Sequence, residues 1–399
     1  MKIVFLAPFG IRPKGTLIAR MLPLAAEMQA RGHQVTVIAP PYTNPEDSGL
    51  VEIVRGVRLV NIRLAKKGAF GTLQMAWRML RGAMAEKPDL IHLFKPKGYG
   101  GVAAMLLILL QRCGAKLPPV VVDTDDLEGK GGMNETQPYS KAERRVFVFQ
   151  EQWLLRRSVA VTAASKALCE LAIEGGMHPA KTFYLPNCVD DLPQGDGSVA
   201  RQRLGIPLEA PVLLLYTRFF EFGQERLHEL FASMWQSLPE VRFLVVGQGR
   251  RGEEEQLLRA ADAGGFAAAL VMAGWTEPKL LPDLLTAGDL AIYPFADTPV
   301  NRAKCPAKLT ELLRSGIPVV ADRVGQITEY LAPELQLLLC TPGDVQAMSA
   351  HCLELLQNRP LCRELGAAGR HYILQHFSWA DSAAKLEQVY QSICSAGDA

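Results

Sequence analysis

Two sets of short apolar segments, each alternating with stretches long enough to form a helix, constrain the fold of this chain most. The first set comprises residues 2–7, 35–39, 57–62, 90–93, 120–123, 159–164 and 182–185, and the second comprises residues 212–216, 243–246, 269–273, 290–293, 317–321 and 337–340. Apolar strands that alternate with helices are typical of a parallel sheet covered on both faces. The polar, turn-rich stretch 190–198 separates the sets and is predicted to be a linker. The pattern therefore predicts two doubly wound α/β domains.

Composition bounds the class of protein. A length of 399 residues suits two domains, and a formal net charge of +2 gives no signal for nucleic-acid binding. The eight cysteines contain no Cys-x-x-Cys pair, which favours reduced thiols in a cytosolic protein. The amino terminus is interpreted as a first strand rather than a signal peptide, and the longest apolar run, 101–110, is too short to span a bilayer.

The stretch 304–322 combines a loop, a short helix and a buried strand. Pro306 suits a first helical turn and Gly316 suits a helix end. The helix start offers backbone N–H groups beside Lys304 and Lys308, which is a favourable site for a phosphate. Glu311 lies one turn later and could accept hydrogen bonds from a ribose diol. The alternative is a solvated Lys308–Glu311 pair at i, i+3.

Crowded carboxylates follow the strand 120–123, and a glycine-rich loop comes after them. Asp125, Asp126 and Glu128 lie in this segment, where crowding can raise the pKa of one carboxyl group and make it an acid or a base. A divalent cation is a second interpretation because hard oxygen ligands cluster here. The third is that these carboxylates cap the next segment or pair with lysine and arginine.

Two further loops of the first half are candidates for substrate contact. Lys95 and Lys97 follow the strand 90–93 and are expected to neutralise the acidic loop or to hold an anionic acceptor, with structural pairing as the alternative. Gly15 permits close backbone approach before the first helix, and Thr16 can cap that helix. An ordinary turn is the alternative for this second loop.

A basic and aromatic stretch lies around residues 66–81. It carries Lys66, Lys67, Trp77 and Arg81 beside apolar residues, a composition found in helices that lie on anionic membranes. The alternative is a helix that packs on its own sheet.

The stretch 304–322, with Gly325 and Glu329 beyond it, resembles the nucleotide-sugar motif of family 4 glycosyltransferases. That family has the GT-B fold and retaining chemistry, and it usually carries two glutamates separated by seven residues in this loop and helix. Glu311 matches the second glutamate, whereas Ala303 stands in the place of the first. The set Pro306, Lys308, Leu309 and Glu311 resembles a variant motif within the same superfamily.

Other segments extend the resemblance. An arginine at a strand end can clamp a diphosphate, and Arg218 matches such a residue in the family. The family's following lysine is replaced by Gly223, for which Arg226 or Lys308 is the suggested substitute. Residues 246–249 resemble the family's glycine-rich turn. Residues 274–276 match the place where the family holds the base, so Trp275 is expected to stack on the base or to form a hydrophobic lid. Asp125 stands where many relatives have a histidine.

The resemblance implies a GT-B architecture of two Rossmann-like domains with a cleft between them. Residues 1–190 are expected to bind the acceptor, residues 200–376 the nucleotide sugar, and residues 377–399 are expected to form a helix that crosses back onto the first domain. The implied activity is that of a retaining, hexosyltransferase-like enzyme that moves a sugar from a nucleotide-diphosphate sugar, with UDP or GDP as the first choice. The acceptor is left open among glycolipid, polysaccharide and small molecule. No metal or cofactor is expected, and the location is cytoplasmic with peripheral contact at the inner face of a membrane as an option.

The expected roles are assigned by residue. The catalytic candidates are Asp125, Arg218 and Lys308. The donor-binding candidates are Gly15, Arg218, Gly247, Trp275, Thr276, Lys304, Pro306, Lys308, Leu309 and Glu311. The acceptor-side candidates are Lys14, Lys95, Lys97, Asp126 and Glu128.

Three alternatives of other kinds stay open. A GT-B homologue with weak catalysis could act as a binding subunit, which the absent first glutamate and absent lysine favour. A GT-B nucleotide-sugar epimerase or a phosphorylase is another, although no motif singles out a lysine for pyridoxal phosphate. A dinucleotide oxidoreductase is the third, and it lacks the usual Gly-x-Gly-x-x-Gly after the first strand.

Overall fold

The computed structural model describes residues 1–12, 15–66 and 68–397, without the side chains of residues 136, 396 and 397. Contacts divide the chain into two compact units. The first unit contains Met1–Cys188, the short segment Ala303–Cys305 and the chain from Trp379 onward. The second unit contains Val189–Arg302 and Pro306–Ser378.

The first unit contains an eight-stranded sheet. Its strands are β1 (Lys2–Leu6), β2 (Gln34–Ala39), β3 (Val51–Val54), β4 (Val57–Asn61), β5 (Leu90–Phe94), β6 (Val120–Thr124), β7 (Ala160–Ala163) and β8 (Thr182–Tyr184). They lie in the order β3-β4-β2-β1-β5-β6-β7-β8, and every pair is parallel except β3 with β4. The chain order reverses between β1 and β5, which is where ligands bind in doubly wound sheets.

The second unit contains a six-stranded, all-parallel sheet. Its strands are β9 (Val212–Tyr216), β10 (Arg242–Val246), β11 (Leu270–Gly274), β12 (Leu290–Tyr293), β13 (Val319–Asp322) and β14 (Leu339–Cys340). The spatial order is β11-β10-β9-β12-β13-β14. This is the doubly wound order, and its reversal point lies between β9 and β12.

Helices connect the strands of both units. They are α1 (Leu22–Ala30), α2 (Ala69–Ala85), α3 (Gly98–Arg112), α4 (Lys141–Arg157), α5 (Lys166–Glu174), α6 (Gly197–Leu204), α7 (Gln224–Ser237), α8 (Glu253–Gly264), α9 (Leu281–Thr286), α10 (Pro299–Ala303), α11 (Ala307–Arg314), α12 (Ile327–Tyr330), α13 (Val345–Leu356), α14 (Arg359–His376) and α15 (Trp379–Gly397). A π-helical turn, Leu17–Met21, leads directly into α1. Short 3-10 turns cover Pro45–Asp47, Met133–Thr136, Pro179–Lys181, Ala267–Ala269 and Pro333–Leu338.

Each sheet is buried because its central strands carry apolar side chains on both faces. In the first unit, Met79 of α2 and Leu107 of α3 pack with Leu93 of β5 in one core cluster. In the second unit, Phe231 of α7 stacks on Phe243 of β10, with ring centroids 4.2 Å apart. These cores hold the strand ends in place, and the loops that follow those ends carry the candidate residues.

The predicted α/β fold with two strand sets is confirmed, with two local corrections. Strand β3 was missed because its Val51 and Ile53 side chains are exposed, so the segment lacks a buried face. Its hairpin turn is made by Arg55 and Gly56, which both have positive φ, at 52° and 80°. Residues 337–340 were predicted to be a strand, but a 3-10 turn occupies the chain as far as Leu338.

The final helix, α15, belongs to the first unit. Its Glu387 accepts a hydrogen bond from the Arg31 guanidinium, with Nε 2.7 Å from Oε2, at the end of α1. Its Tyr390 hydroxyl lies 2.6 Å from Nδ1 of the buried His92 on β5. These contacts agree with the return of the last helix to the first domain. The boundaries at 190, 200 and 376 stay predictions.

Candidate functional site

In the second unit, the turns after β9, β10 and β11 lie side by side. The Thr217 N–H donates to the Val246 carbonyl oxygen at 2.9 Å, and the Gly247 N–H donates to the Gly274 carbonyl oxygen at 2.8 Å. Gly247 has a φ of 122°, and a Cβ atom on it would lie only 1.9 Å from the Thr217 carbonyl oxygen. Glycine is therefore required at 247 by backbone conformation and by the close approach of two turns.

Two arginines approach the face of one aromatic ring beside these turns. The guanidinium carbons of Arg218 and Arg250 lie 5.7 Å and 5.9 Å from the centroid of the Phe220 ring. The Glu253 carboxylate accepts from the Arg250 N–H at 2.9 Å and so supports the turn that carries Arg250. Arg250 was missed by sequence reasoning, although its place after the glycine-rich turn was a signal. Both guanidinium groups are exposed and can meet an anion.

Helix α11 presents two predicted residues to a tyrosine that sequence reasoning treated only as a strand end. Lys308 Nζ lies 3.4 Å from the centroid of the Tyr216 ring. The Tyr216 hydroxyl donates to Glu311 Oε2 at 2.9 Å. Burial, followed by the Glu311 charge, raises the pKa of Tyr216 far above its ordinary value, so the hydroxyl remains a donor.

Three other predicted donor residues, Pro306, Leu309 and Lys304, lie in α11 or just before it in the sequence. Pro306 is the residue before the first turn of α11. The Leu309 side chain is fully buried, and the Leu309 N–H donates to the Pro306 carbonyl oxygen at 3.0 Å. Leu309 therefore anchors the helix in the core. Lys304 is buried and is counted with the first unit, whereas Lys308 belongs to the second.

Trp275 and Thr276 follow β11. The Trp275 side chain is 69% exposed, so its ring is a surface for stacking. The Thr276 hydroxyl lies 3.4 Å from the Gly274 carbonyl oxygen, to which it donates. Arg226, one of the two suggested substitutes for the family lysine, pairs with the buried Asp322, with Nη2 2.9 Å from Oδ1. Arg226 is therefore engaged by a carboxylate within the second unit, and the phosphate role suggested for Lys308 stays a prediction.

In the first unit, a buried arginine binds the acidic strand end. Arg20 and Asp123 are both fully buried, and their two hydrogen bonds measure 2.8 Å and 2.6 Å. The Thr162 hydroxyl adds a third bond to Asp123 at 2.6 Å, and Asn187 accepts from Arg20 at 3.0 Å. Burial raises the pKa of Asp123, and the Arg20 charge opposes that shift. Arg20 was missed because a helical arginine carries no sequence signal of burial.

Asp125 lies in the loop after β6 with two partners. The Thr16 hydroxyl donates to Oδ2 at 2.7 Å, and Lys95 Nζ lies 2.9 Å from Oδ1. Burial would raise the pKa of Asp125, but Lys95 and Thr16 outweigh it and hold that pKa below its ordinary value. The prediction that Thr16 caps the first helix is wrong, because its side chain makes no cap bond and its hydroxyl serves Asp125 instead.

The predicted acceptor-side residues form a buried ionic network. Lys95 Nζ also lies 2.6 Å from Asp126 and 2.8 Å from Glu128. Lys97 Nζ lies 2.5 Å from Glu128 and 3.0 Å from Asn134 Oδ1. Burial would lower the pKa of Lys95, yet the surrounding carboxylates raise it well above its ordinary value. The structural pairing left open as an alternative is thus present for both lysines.

The remaining expectations concern a metal site and the loop before α1. Among the described residues, no group of three or more His, Cys, Asp or Glu side chains has an arrangement that could hold a metal ion. The acidic loop instead converges on the Lys95 ammonium group. Gly15 begins the turn before α1, and its carbonyl oxygen accepts from the Ala19 N–H at 2.9 Å. Lys14 lies outside the described residues.

Glu151 of α4 is a further buried carboxyl group beside this network. It accepts from the Glu128 N–H at 3.0 Å, and so holds the acidic loop against α4. Burial raises the pKa of Glu151 to about 7, with a contribution from the Glu128 charge. Sequence reasoning missed it, since a glutamate within a basic helix looks like a surface residue.

A pH-dependent contribution to stability is expected from Glu151. Its folded pKa of about 7 lies above the ordinary value of 4.5, so the contribution is complete below pH 4.5 and is lost as the pH rises through 7. Glu151→Gln should remove about 1–3 kcal/mol of this pH dependence. Urea unfolding at pH 4.5, 6 and 7.5 measures it, with the exposed Glu174→Gln as control. Parallel profiles for wild type and Glu151→Gln would contradict the assignment.

The two doubly wound units belong to the class of GT-B folds, as their similarity to solved structures shows. A solved sucrose-phosphate synthase from Thermosynechococcus elongatus has this fold, with a TM-score of 0.74 at 18% identity, covering 99% of this chain and 100% of the other. HepE from Anabaena, solved in complex with UDP and glucose, has a TM-score of 0.72 at 21% identity, covering 98% of this chain and 100% of the other.

The sequence matches the glycosyl transferase 4-like domain over residues 15–188 and the glycosyl transferases group 1 family over residues 198–372. The protein therefore belongs to the group 1 glycosyltransferases. A relative, phosphatidyl-myo-inositol mannosyltransferase of Mycobacterium leprae, is 25% identical over 100% of this chain and 98% of its own length.

Proposed function

We propose that this chain is a retaining glycosyltransferase that moves a hexose from a nucleotide-diphosphate sugar to an acceptor hydroxyl. The observation that carries the proposal is the set of Tyr216, Lys308 and Glu311 beside Arg218 in the second unit. It combines a carboxylate suited to a ribose diol with cations suited to a diphosphate. Family membership and the UDP complex of HepE support the same class of donor.

The proposed roles follow from charge. Glu311 accepts hydrogen bonds from the ribose hydroxyls, while Arg218 and Lys308 face the two phosphates. As the bond from the sugar to the phosphate breaks, negative charge grows on the leaving diphosphate. Fixed cations stabilise that charge more in the transition state than in the ground state, which accelerates departure. In the retaining course, the acceptor hydroxyl attacks from the face that the diphosphate leaves, and its proton passes to the departing phosphate oxygen.

Asp125 is the proposed residue for the reacting sugar or the acceptor. Thr16 and Lys95 fix its carboxylate from two sides. A carboxylate held ionised can accept a hydrogen bond from a sugar or acceptor hydroxyl and orient it. Asp126, the more exposed of the other carboxylates on Lys95, is the proposed acceptor-side neighbour.

A thermal-stability screen against UDP, GDP, ADP and their sugar conjugates tests the donor site. A ligand present at a hundred times its dissociation constant adds about 2.7 kcal/mol of stability. A shift with one diphosphate and its sugars is expected and would identify the base. No shift with any nucleotide would overturn the proposed donor site.

Glu311→Ala should weaken binding of that diphosphate about tenfold or more, because a charge-assisted contact to the ribose is lost. Isothermal titration calorimetry measures the affinity. Glu334→Ala, which changes an exposed glutamate of the same unit, is the matched control. Equal affinities of Glu311→Ala and wild type would rule out the ribose role.

A binding subunit with weak catalysis is the second candidate. Ala303 in place of the family's first glutamate is the feature that favours it. Incubation of the nucleotide sugar without acceptor separates the candidates, since slow hydrolysis requires a working site. Nucleotide binding without hydrolysis or transfer would favour the subunit, and interconversion of two nucleotide sugars would indicate an epimerase.

We also propose peripheral contact with an anionic membrane, which would fit a lipid-linked acceptor. Phe70, Leu73 and Trp77 lie one or two turns apart on α2 and are 81%, 60% and 53% exposed. The helix carries Arg78 and Arg81 and contains no acidic residue. Exposed apolar side chains with basic neighbours suit an anionic interface. Lys67, which was part of the predicted patch, lies outside the described residues. No helix in the described part of the chain is long and apolar enough to cross a bilayer.

Co-sedimentation with vesicles tests this contact. The Leu73→Ser/Trp77→Ser double variant should lower binding to vesicles rich in phosphatidylglycerol about tenfold or more, because two apolar side chains that would be buried in the membrane interface are lost. Leu337→Ser, which changes a residue 64% exposed in the second unit, is the control. Equal binding by the double variant and wild type would contradict the proposal. Equal binding of the wild type to neutral vesicles and to vesicles rich in phosphatidylglycerol would also contradict it.

A further inference from the structure

Tyr216 contacts two charged residues of the proposed donor site, Glu311 and Lys308, with different parts of its side chain. Its hydroxyl donates to Glu311 Oε2 at 2.9 Å, and its ring face lies 3.4 Å from Lys308 Nζ. Glu311 and Lys308 lie three residues apart on α11, whereas Tyr216 ends β9, next to the reversal point of the sheet. One side chain thus connects the sheet to both charges.

The hydroxyl contact restricts the Glu311 carboxylate. A glutamate has three rotatable side-chain bonds, and ordering such a side chain when a ligand binds costs conformational entropy. A bond from Tyr216 to Oε2 occupies one acceptor position and restricts the plane of the carboxylate. A phenylalanine would keep the ring and remove this restriction.

The ring contact restricts the Lys308 ammonium group. A cation over an aromatic face is attracted by the negative potential of the ring, and the attraction is stronger when water is excluded. The ring is neutral, so this contact holds the ammonium group without cancelling its positive charge. An aliphatic residue at 216 would remove this support as well as the hydroxyl.

We propose that Tyr216 is a positioning residue that orients Glu311 for the ribose through its hydroxyl and Lys308 for the diphosphate through its ring. This inference rests on the proposed donor site and assigns within it a residue that is itself expected to touch neither sugar nor phosphate. It separates two recognition tasks between two parts of one side chain. Phenylalanine removes the hydroxyl alone, and leucine removes the ring together with the hydroxyl.

The experiment compares ligand pairs across variants. Calorimetry is used to measure the affinities of the preferred nucleoside diphosphate, its 2′-deoxy form and the nucleoside monophosphate for wild type, Tyr216→Phe, Tyr216→Leu and Glu311→Ala. Tyr216→Phe should reduce the preference for ribose over 2′-deoxyribose about three- to tenfold and keep the preference for diphosphate over monophosphate. Tyr216→Leu should reduce both preferences.

Ratios of affinities are the readout because a general loss of folding lowers all affinities together. Tyr372→Phe is the matched control, since its hydroxyl donates to the Glu329 carbonyl oxygen at 3.4 Å in the same unit. It should leave both ratios unchanged, and unfolding temperatures without ligand identify any variant that has lost its fold. If the 2′ contact is lost in Glu311→Ala but kept in Tyr216→Phe, the role of Tyr216 fails while the donor site stands. If wild type shows no preference for ribose, the ribose role of Glu311 fails and takes the role of Tyr216 with it.

Discussion

Asp125→Asn should lower turnover about 10²- to 10³-fold while nucleotide affinity stays within about twofold. Asparagine has nearly the same shape and can still accept from the Thr16 hydroxyl, so the main change is the loss of one negative charge. That charge is maintained in the folded protein, because Lys95 and Thr16 hold the pKa of Asp125 below its ordinary value against the effect of burial. The pKa shift predicts that Asp125 remains ionised throughout the neutral range.

Steady-state transfer to an acceptor, together with calorimetry on the nucleotide, measures the two quantities separately. Asp89→Asn is a suitable control, since Asp89 lies before the amino end of β5, whereas Asp125 follows the carboxyl end of β6 in the same sheet. Full activity of Asp125→Asn would remove the residue from the reacting site. A large fall in nucleotide affinity instead would assign it to donor binding.

Arg20→Met should destabilise the first unit by about 3–5 kcal/mol. Methionine preserves much of the side-chain volume but leaves the fully buried Asp123 carboxylate without its cation. Thr162 alone would then donate to Asp123 among the bonds described, and burial would raise the pKa of Asp123 further. The cost comes from an uncompensated buried charge rather than from the net value of the pair.

A double variant separates these two causes. Arg20→Met with Asp123→Leu removes both charges, and it should recover at least about half of the lost stability, because apolar replacements of buried ion pairs are often tolerated. Urea unfolding of the wild type, the single variant and the double variant measures the difference. A single variant as stable as wild type would show that Asp123 is neutral or solvated in the fold.

The resemblance to the glycosyltransferase family located much of the candidate donor site but fewer of the residues that interact in the first unit. Gly247, Arg218, Lys308 and Glu311 could be located because local motifs mark strand ends, and the structure places the turns after β9, β10 and β11 together. The roles of these four residues stay proposals, but their locations follow from a local pattern of strand, turn and helix. The nearby contact of Arg250 with the Phe220 ring was not predicted.

Residues that act through distant partners could not be predicted. Tyr216 and Glu311 are 95 positions apart, and Arg20 and Asp123 are 103 apart. Thr16 could be predicted only as a helix cap, since the competing acceptor, Asp125, comes from another strand end. Glu151 looked exposed because the acidic loop that buries it follows a different strand.

The sequence by itself determined the two sets of strands, the turns that end them and the helix that follows residue 306, because hydrophobic periodicity and glycine or proline conformations are local properties of the chain. Only the tertiary structure decided which side chains form hydrogen bonds and ion pairs with one another. Parallel strands bring their carboxyl ends to one edge of their sheet from positions far apart in sequence. The pairing, burial and pKa of Lys95 and Asp125 arise at that edge of the first sheet, and those of Tyr216 arise at a strand end of the second sheet.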